Sequence, residues 1–438
     1  MKIMKFGGTS VGSAQRMQGV ASLINDGEDK IVVLSAMSGT TNSLVEICGY
    51  LANNNPDSAN EVINKLENLY KKHINELYST EEYKQQTLAL VKEVFNYLRS
   101  FTKQLFTSIE ERIILAQGEI ISTNMMTNYL KEQGISTHLI AALDYMRTDK
   151  NGEPDTSYIK EKLTEVLAAS PKVQIYITQG FICRNINGEI DNLQRGGSDY
   201  TASLIGAAVG AREIQIWTDI DGMHNNDPRI VDKTTAVRHL HFEEAAELGY
   251  FGAKILHPTC IQPAKFANIP VKLLNTMQPD APGTTINNEA DPGTIKAVAA
   301  KENITAIKIK SSRMLLAHGF LRKVFEIFES YQTSIDMICT SEVGVSMSID
   351  NTKHLNEIVH DLKKYGTVTI DHNMCIICVV GDMDWENIGF EARAMDAMRD
   401  IPVRMISFGG SNYNISFLIK ESDKQRALQA LQDNLFNS

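Results

Sequence analysis

Lys5 lies two residues before a pair of glycines, Gly7 and Gly8, in the run KFGGTS near the start of the chain. Two adjacent glycines let the backbone approach a bulky anion without obstruction by side chains. The apolar residues before them predict a short strand, and a helical pattern that begins at Gln15 would point free N–H groups at the same place. A lysine in an apolar strand needs an anionic partner. The run therefore predicts a phosphate-binding turn, with a plain strand-to-helix turn and a snorkelling lysine as the alternative.

A second pair of glycines follows an arginine in the run RGGSD, residues 195–199. The helical pattern Tyr200–Val209 comes directly after it, so Ser198 or Asp199 can cap that helix. The helix N-terminus offers N–H groups and Arg195 adds a forked cation, which together predict a second anion site. A carboxylate in such a site is predicted to orient a lysine or a reacting group, and this role is assigned to Asp199. A plain N-cap is the alternative.

Polar residues also follow the predicted strand Ile214–Thr218, in the run WTDIDGMHNNDPR. Ligands of open parallel sheets bind outside the carboxyl ends of strands, which is where this loop falls. Arg229 at its end is suited to nucleotide phosphates. Another lysine, Lys254, follows a glycine in the run FGAK. Taken singly, each of these is more often an ordinary turn than a site.

Composition limits the class of protein. The chain has 438 residues, 43% of them apolar and 22% charged, which is ordinary for a globular protein of two or three domains. A net charge of −10 argues against nucleic-acid and anionic-membrane surfaces. No apolar run reaches the ~20 residues that cross a bilayer, and no signal-peptide pattern opens the chain. Six scattered cysteines are typical of reduced thiols, so a cytoplasmic protein is expected. Cys375 and Cys378 share an apolar run and are predicted to be strand core instead of a zinc site.

Strand and helix patterns alternate over the first two-thirds of the chain, which predicts a mainly parallel sheet covered by helices on both faces. The predicted strands are 3–6, 31–35, 137–141, 173–178, 214–218 and 271–274. Between 57 and 128 the pattern becomes helical, and this stretch is predicted to be an inserted helical layer. Two roles explain this helical layer equally well: it supports the fold, or it closes over a bound substrate.

An internal repeat follows a cluster of proline and glycine at 279–293, which predicts a domain boundary. The pair Met337-Ile338 recurs as Met405-Ile406, and a Gly-Phe pair opens a helical pattern in both copies. Each copy predicts a strand–helix–strand–strand–helix–strand unit of ferredoxin-like type. Two such units after a catalytic domain favour a sensor module, with a duplicated structural appendage as the alternative.

Several nucleotide-binding and catalytic signatures are absent from the sequence. There is no Gly-x-x-x-x-Gly-Lys-Ser/Thr run and no Gly-x-Gly-x-x-Gly, which excludes the P-loop and the dinucleotide fingerprint. Protein-kinase, zinc-protease and nucleophile-elbow motifs are missing as well. The chain is therefore neither a P-loop enzyme nor a protein kinase.

Five runs of the sequence together resemble the signature set of the aspartate kinases, which belong to the amino-acid kinase superfamily. These runs are KFGGTS (5–10), QGE (117–119), RGGSD (195–199), WTD (217–219) and FGAK (251–254). The resemblance covers essentially the whole chain, and the repeat looks like the paired ACT domains of that family. It implies a kinase domain over 1–290, a first ACT unit over 298–372 and a second over 373–438. The resemblance is to the monofunctional enzyme and not to the fusion with homoserine dehydrogenase.

The resemblance implies transfer of the ATP γ-phosphoryl group to the β-carboxylate of L-aspartate, with Mg²⁺ carried mainly by the phosphates and no metal ligand from the protein. Lys5 and Asp199 would be catalytic. The implied aspartate-binding residues are Thr41, Glu119 for the α-ammonium, and Arg195 and Ser198 for the α-carboxylate. The implied nucleotide-binding residues are Lys5, Gly7, Gly8, Thr218, Asp219, His224, Arg229 and Lys254. His224 stands where the family often has tyrosine, which leaves its contact with the nucleotide open.

The resemblance also implies feedback inhibition by an amino-acid end product. The first ACT unit carries the run TSE, which matches the lysine-sensitive branch better than the threonine-sensitive one. The implied effector-binding residues are Met314, Ala317, Phe320, Leu321, Ser334, Ile335, Asp336, Thr340, Ser341 and Glu342. Asp336 and Glu342 offer negative charge to a cationic ligand. Ala317 replaces a usual serine, which predicts weaker inhibition. ACT units commonly pair across subunits, so a homodimer or dimer of dimers is expected.

Two other functions stay open from the sequence. The first is a different amino-acid kinase of the same fold, such as one for glutamate. The second is a catalytically degenerate amino-acid sensor in which only the repeated units bind. The joint presence of Lys5, Glu119, Arg195, Asp199 and Lys254 speaks against the sensor.

Overall fold

The computed structural model describes residues 1–193, 196–252, 256–311 and 318–436. The strands, in chain order, are β1 (Lys2–Phe6), β2 (Lys30–Leu34), β3 (Thr137–Leu139), β4 (Ile175–Gln179), β5 (Ile182–Arg184), β6 (Ile190–Asn192), β7 (Ile214–Thr218), β8 (His239–His241), β9 (Val271–Asn275), β10 (Thr284–Asn287), β11 (Ile295–Lys310), β12 (Met337–Ser341), β13 (Gly344–Ile349), β14 (Thr367–Gly381), β15 (Val403–Ser407) and β16 (Asn414–Lys420). The helices are α1 (Ala14–Ile24), α2 (Thr40–Ala52), α3 (Pro56–Leu77), α4 (Glu81–Ser100), α5 (Ser108–Glu132), α6 (Thr156–Ala169), α7 (Gly197–Val209), α8 (Phe242–Tyr250), α9 (Pro258–Phe266), α10 (Phe320–Ser330), α11 (Leu355–Leu362), α12 (Phe390–Ala397) and α13 (Lys424–Leu435).

The chain divides into two units. The first comprises Met1–Met223 and Leu256–Asn288, and the second comprises His224–Ile255 and Glu289–Ser438. The sequence placed the whole of 1–290 in the kinase domain, whereas residues 224–255 are grouped here with the repeated region. No helix in the described residues is both long and apolar enough to span a membrane.

The first unit is built on a mainly parallel sheet with the strand order β3-β4-β2-β1-β7-β9-β10. The pairs from β3 to β9 are parallel, and β10 is antiparallel to β9. The central strands are mostly apolar because helices cover both faces of such a sheet, and every residue of β2 is buried. All six strands that the sequence predicted are present, and the predicted fold class is confirmed.

The helical stretch predicted over 57–128 forms three long helices, α3, α4 and α5. Their apolar faces contribute Tyr70 and Phe95 to the same buried cluster as the sheet. A capping box at Thr107 and Glu110 fixes the start of α5. Most residues in the middle of α5, from Ala116 to Thr123, are buried, so this helix carries side chains into the centre of the unit.

The second unit contains an antiparallel sheet with the order β12-β13-β11-β14-β16-β15. The repeat predicted from the sequence is present in it. Gly319 and Gly389, both in the left-handed region with φ of 82° and 90°, are the N-caps of α10 and α12. The two Met-Ile pairs lie on the equivalent strands β12 and β15. Cys375 and Cys378 are buried on β14, and burial raises the pKa of the Cys375 thiol to about 12.

The second copy of the repeat differs from the first in the origin of one strand. Residues 304–310 of β11 pair with 367–374 of β14 in the first copy, whereas residues 295–301 pair with 376–381 in the second. The second copy therefore takes a strand from the chain before the first copy, and α13 is its last described element. The sequence repeat did not reveal this exchange because strand pairing depends on free hydrogen-bonding edges and not on residue similarity.

Candidate active site and effector region

A cavity of about 420 Å³ opens in the first unit, where β1, β2 and β4 end. This is the edge at which open parallel sheets bind ligands. Its lining residues are Gly8, Thr9, Ser35, Ala36, Met37, Ser38, Gly39, Thr41, Glu119, Phe181, Gly197 and Ser198. Residues predicted from three separate sequence runs thus meet in one place.

Lys5 and Asp199 form an ion pair beside this cavity. The Lys5 Nζ atom lies 2.7 Å from Asp199 Oδ1, and only 12% and 14% of the two side chains are exposed. Lys5 lies on β1, which pairs with β2 on one side and with β7 on the other, so the sheet fixes the backbone of Lys5. Asp199 lies in the first turn of α7, whose N-cap is Gly196 with no side-chain cap. The alternative of Asp199 as the N-cap is therefore wrong, and the predicted link between Asp199 and a lysine is present.

The two glycines after β1 approach other backbone atoms closely. The Gly7 N–H donates to the Trp217 carbonyl oxygen at 3.3 Å. A Cβ atom on Gly8 would lie 2.8 Å from the Ala36 carbonyl oxygen, so no larger residue fits without displacing backbone. The turn therefore presents bare backbone next to the Lys5 ammonium, as a phosphate-binding turn requires.

Ser198 marks the end of the α7 helix that faces the cavity. Its hydroxyl accepts a hydrogen bond from the Ser35 hydroxyl at 2.9 Å. A Cβ atom on Gly180 would lie 2.3 Å from Ser198 Oγ, so glycine is needed there for α7 to approach β4. The predicted residue Ser198 is thus held by Ser35, a residue that the sequence analysis did not single out.

Glu119 comes from the buried middle of α5 and is 5% exposed. Its Oε1 atom accepts a hydrogen bond from the Ala36 N–H at 3.1 Å, while Oε2 is buried and has no hydrogen-bond partner among the described residues. Burial raises the pKa of Glu119 to about 7, although Lys5 and the hydrogen bonds oppose this shift. A buried carboxylate oxygen with no partner is suited to an ammonium ligand, because such a ligand supplies both charge and hydrogen bonds.

Two other predicted residues, Thr41 and Thr218, lie at the start of a helix and at the end of a strand in this unit. Thr41 is exposed in the first turn of α2 and lines the cavity. Thr218 ends β7, the neighbour of β1, and its hydroxyl donates to Asp219 Oδ1 at 3.1 Å. Arg195 and Lys254, both predicted to bind ligands, lie outside the described residues.

Two predicted nucleotide-binding residues belong to the second unit. The His224 Nδ1 atom lies 3.0 Å from the Thr234 hydroxyl. Arg229 is exposed, and its guanidinium contacts both carboxylate oxygens of Asp227 at 2.9 and 2.7 Å. The charge of Arg229 is therefore already partly balanced, and a phosphate would have to share it with Asp227.

Asp336 is the most constrained of the predicted effector-binding residues. Its side chain is 1% exposed, and its Oδ1 atom accepts hydrogen bonds from Lys301 Nζ at 2.7 Å and from the Tyr250 hydroxyl at 2.9 Å. Lys301 Nζ also lies 2.9 Å from Asp350 Oδ2 and 4.4 Å from the centre of the Tyr250 ring. Burial raises the pKa of Asp336, and its buried Oδ2 atom has no hydrogen-bond partner in the part of the chain that the structure describes.

The other effector residues surround α10 and β12. Phe320 begins α10 and is buried, whereas Leu321 next to it is partly exposed. Ser334 and Ile335 precede β12, Thr340 and Ser341 end it, and Glu342 is exposed in the turn that follows. Met314 and Ala317 lie outside the described residues.

Comparison with known proteins identifies the family. The model of the amino acid kinase family matches residues 1–275, and an ACT domain model matches residues 377–435. Aspartokinase 1, chloroplastic, of Arabidopsis thaliana is 35% identical over 460 residues, which cover 100% of this chain and 80% of that protein. The chain belongs to the aspartokinases.

A bacterial aspartokinase and a solved aspartokinase structure match over their full length. Lysine-sensitive aspartokinase 3 of Escherichia coli is 30% identical over 447 residues, covering 99% of each protein. The crystal structure of E. coli aspartokinase III in complex with aspartate and ADP (R-state) has a TM-score of 0.84 and 28% identity, and the match covers 100% of both chains. The family resemblance and the fold predicted from the sequence are therefore confirmed.

Sequence reasoning missed several residues of this aspartokinase. Ser35 and Phe181 line the cavity, and Lys301 and Tyr250 contact Asp336. Ser35 is the last residue of the predicted strand 31–35, and a polar residue at the carboxyl end of a strand is a signal that could have indicated it. The contacts of Asp336 join residues 35 and 86 positions apart, and no local pattern reports them.

Proposed function

We propose that this aspartokinase transfers the γ-phosphoryl group of ATP to the β-carboxylate of L-aspartate, forming β-aspartyl phosphate and ADP. The observation that carries the proposal is the pairing of two features at one cavity. Glu119 presents a buried oxygen without a partner, and Lys5 with the Gly7–Gly8 turn presents a cation and open backbone. The first suits the ammonium of an amino acid, and the second suits a phosphate.

The chemistry needs positioning more than proton transfer. The β-carboxylate of aspartate is ionised at neutral pH, so its oxygen attacks the γ-phosphorus without a general base while the β–γ bridging oxygen leaves with ADP. The obstacle is the approach of an anion to a polyanion. The Lys5 ammonium would stabilise the charge on the transferring phosphoryl group, and Asp199 would hold that ammonium in place.

The acceptor would be bound through both groups at its α-carbon. Glu119 would pair with the α-ammonium, while Ser198 and Arg195 would hold the α-carboxylate. Thr41, which also lines the cavity, would add a hydrogen bond to the substrate. Since burial raises the pKa of Glu119 to about 7, the ammonium would bind most tightly when Glu119 has lost its proton.

The nucleotide would bind beside the turn that follows β1. Gly8 packs closely against the Ala36 carbonyl oxygen and lines the cavity, so its turn would bring backbone next to a phosphate there. Thr218, Asp219, His224, Arg229 and Lys254 would contact ATP. Mg²⁺ would be held mainly by the phosphates and would neutralise part of their charge.

We further infer that an amino-acid end product, L-lysine, inhibits the enzyme by binding to the first ACT unit. The support is a buried carboxylate, Asp336, with one oxygen that has no partner, together with Glu342 in the turn after β12. The E. coli relative is named lysine-sensitive. Effector binding would shift an equilibrium between two states of a homodimer.

Hydroxylamine trapping tests the proposed reaction because it converts an acyl phosphate into a stable hydroxamate. With ATP and Mg²⁺, L-aspartate is expected to give far more hydroxamate than L-glutamate, and L-asparagine, which lacks the β-carboxylate, should give none. A higher yield from glutamate would support a different amino-acid kinase. No product from either would support a sensor without kinase activity. Titration of lysine and threonine into the aspartate reaction tests the proposed effector.

A further inference from the structure

Phe181 has a backbone conformation that a bulky residue rarely adopts. Its φ is 67°, in the left-handed region, where Cβ crowds the backbone. Seven described non-glycine residues have a positive φ. Four of them are asparagine, which tolerates this region, and Phe181 is the one aromatic residue among them. Such a conformation persists only where surrounding contacts enforce it, and residues of this kind cluster at functional sites.

Two hydrogen bonds enforce the conformation of Phe181. Its N–H donates to the Thr201 hydroxyl at 3.0 Å, and its carbonyl oxygen accepts from the Leu193 N–H at 2.7 Å. The Thr201 hydroxyl in turn donates to the Gly197 carbonyl oxygen at 3.1 Å. One hydroxyl therefore connects the backbone of Phe181 to the first turn of α7.

The Phe181 ring contacts the same turn from its side. A Cβ atom on Gly197 would lie 2.8 Å from Phe181 Cδ2, so the ring lies directly against the Gly197 backbone. Phe181, Gly197 and Ser198 all line the cavity. The ring thus packs against the segment from Gly196 to Ser198.

We propose that Phe181 is a positioning residue for the acceptor amino acid, a role that rests on the proposed kinase function. Its strained backbone places the ring against Gly197 and so fixes the N-terminal turn of α7. That turn carries Ser198 and the backbone N–H groups that would meet the substrate carboxylate. The ring itself contacts neither the nucleotide nor the reacting atoms in this role.

The test separates positioning from stability with the variant Phe181→Gly. Glycine relieves the backbone strain but also removes the contacts of the ring, so the thermal transition is measured beside the kinetics and should stay cooperative. The KM for aspartate should increase ~10–100-fold because the turn is no longer fixed, while the KM for ATP should change less than about two-fold. Phe181→Tyr keeps the ring and should retain most of the affinity for aspartate.

Gln332→Gly is the matched control, because Gln332 also has a positive φ of 47° and lies in the second unit. It should change neither KM. Wild-type KM values in Phe181→Gly, or an equal increase in both constants, would overturn the proposal. If that variant does not fold, Phe181→Leu is measured instead, and the KM for aspartate should again rise more than the KM for ATP. Absence of aspartyl hydroxamate from the wild-type protein would overturn the kinase function itself, which is a distinguishable result.

Discussion

Glu119 in the first unit and Asp336 in the second are buried carboxylates whose hydrogen bonding is incomplete. In each, burial raises the pKa, one oxygen accepts hydrogen bonds and the other oxygen is buried without a partner. They differ in the cation beside them. Asp336 is paired with Lys301 at 2.7 Å, whereas Glu119 accepts a hydrogen bond from a backbone N–H, and the nearby Lys5 is paired with Asp199.

This difference indicates how each region would treat an ammonium ligand. At Glu119 an incoming ammonium would supply a missing counter-charge, so binding would add an interaction without breaking one. At Asp336 the same group would reach the free Oδ2 atom of a carboxylate whose Oδ1 atom already binds Lys301 and the Tyr250 hydroxyl, so it would share the charge of that carboxylate with them. The first arrangement suits a substrate that must bind in every turnover. The second suits an effector whose binding rearranges existing contacts.

The largest effect is expected at the charge pair of the cavity. Lys5→Ala should lower kcat about 10²–10³-fold, because it removes a cation directed at developing phosphoryl charge. The measurement is the aspartate-dependent rate together with the thermal transition. Lys2→Ala is the matched control, since Lys2 lies on the same strand and its ion pair with Asp26 is elsewhere. A wild-type rate in a folded Lys5→Ala protein would show that Lys5 is not catalytic.

Two parts of this cavity could be predicted from local sequence patterns, whereas Thr41 and Glu119 were expected only from the family resemblance. A glycine pair after an apolar strand specifies a close-approach turn, and Lys5 in such a strand requires a partner. The conformation of Phe181 could not be predicted, because a positive φ on phenylalanine results from tertiary hydrogen bonds. The pairing of Asp336 with Lys301 was also missed, since a charged residue in a sequence gives no sign of a distant counter-ion. The sequence thus indicated several residues of the cavity. It did not indicate the contacts that connect Asp336 to distant residues.

The second effect is the selectivity for the acceptor. Glu119→Ala and Glu119→Gln should each raise the KM for aspartate about 10–100-fold, because a charge-assisted contact to the ammonium is lost. The KM for ATP should change little. Glutamine can still accept the Ala36 N–H bond, so it separates the charge from the structural hydrogen bond. An equal rise in both KM values, seen in both variants, would mean that Glu119 is structural.

The pH dependence tests the same carboxylate without changing its neighbours. Because the pKa of Glu119 is raised to about 7, kcat/KM for aspartate should fall as the pH drops below 7, approaching about ten-fold per unit. Protonation favours the folded state, so the stability linked to Glu119 is present at low pH and decreases as the pH rises from about 4.5 to 7. Glu119→Gln should show neither dependence. Identical pH profiles for the two proteins would contradict the comparison drawn above.

The smallest effect is expected at Tyr250, and its sign is the informative part. Tyr250→Phe keeps the ring beside Lys301 but removes the hydroxyl that occupies Asp336 Oδ1. If an ammonium effector competes with that hydroxyl, the variant should be inhibited by about five-fold less lysine, which corresponds to one hydrogen bond of roughly 1 kcal/mol. Tyr365→Phe is the control, because Tyr365 lies under Lys323 in a similar cation–π contact of the same unit. Asp336→Asn should lose inhibition in the same assay. Weaker inhibition in Tyr250→Phe would mean that the hydroxyl helps to form the effector site instead of competing for it.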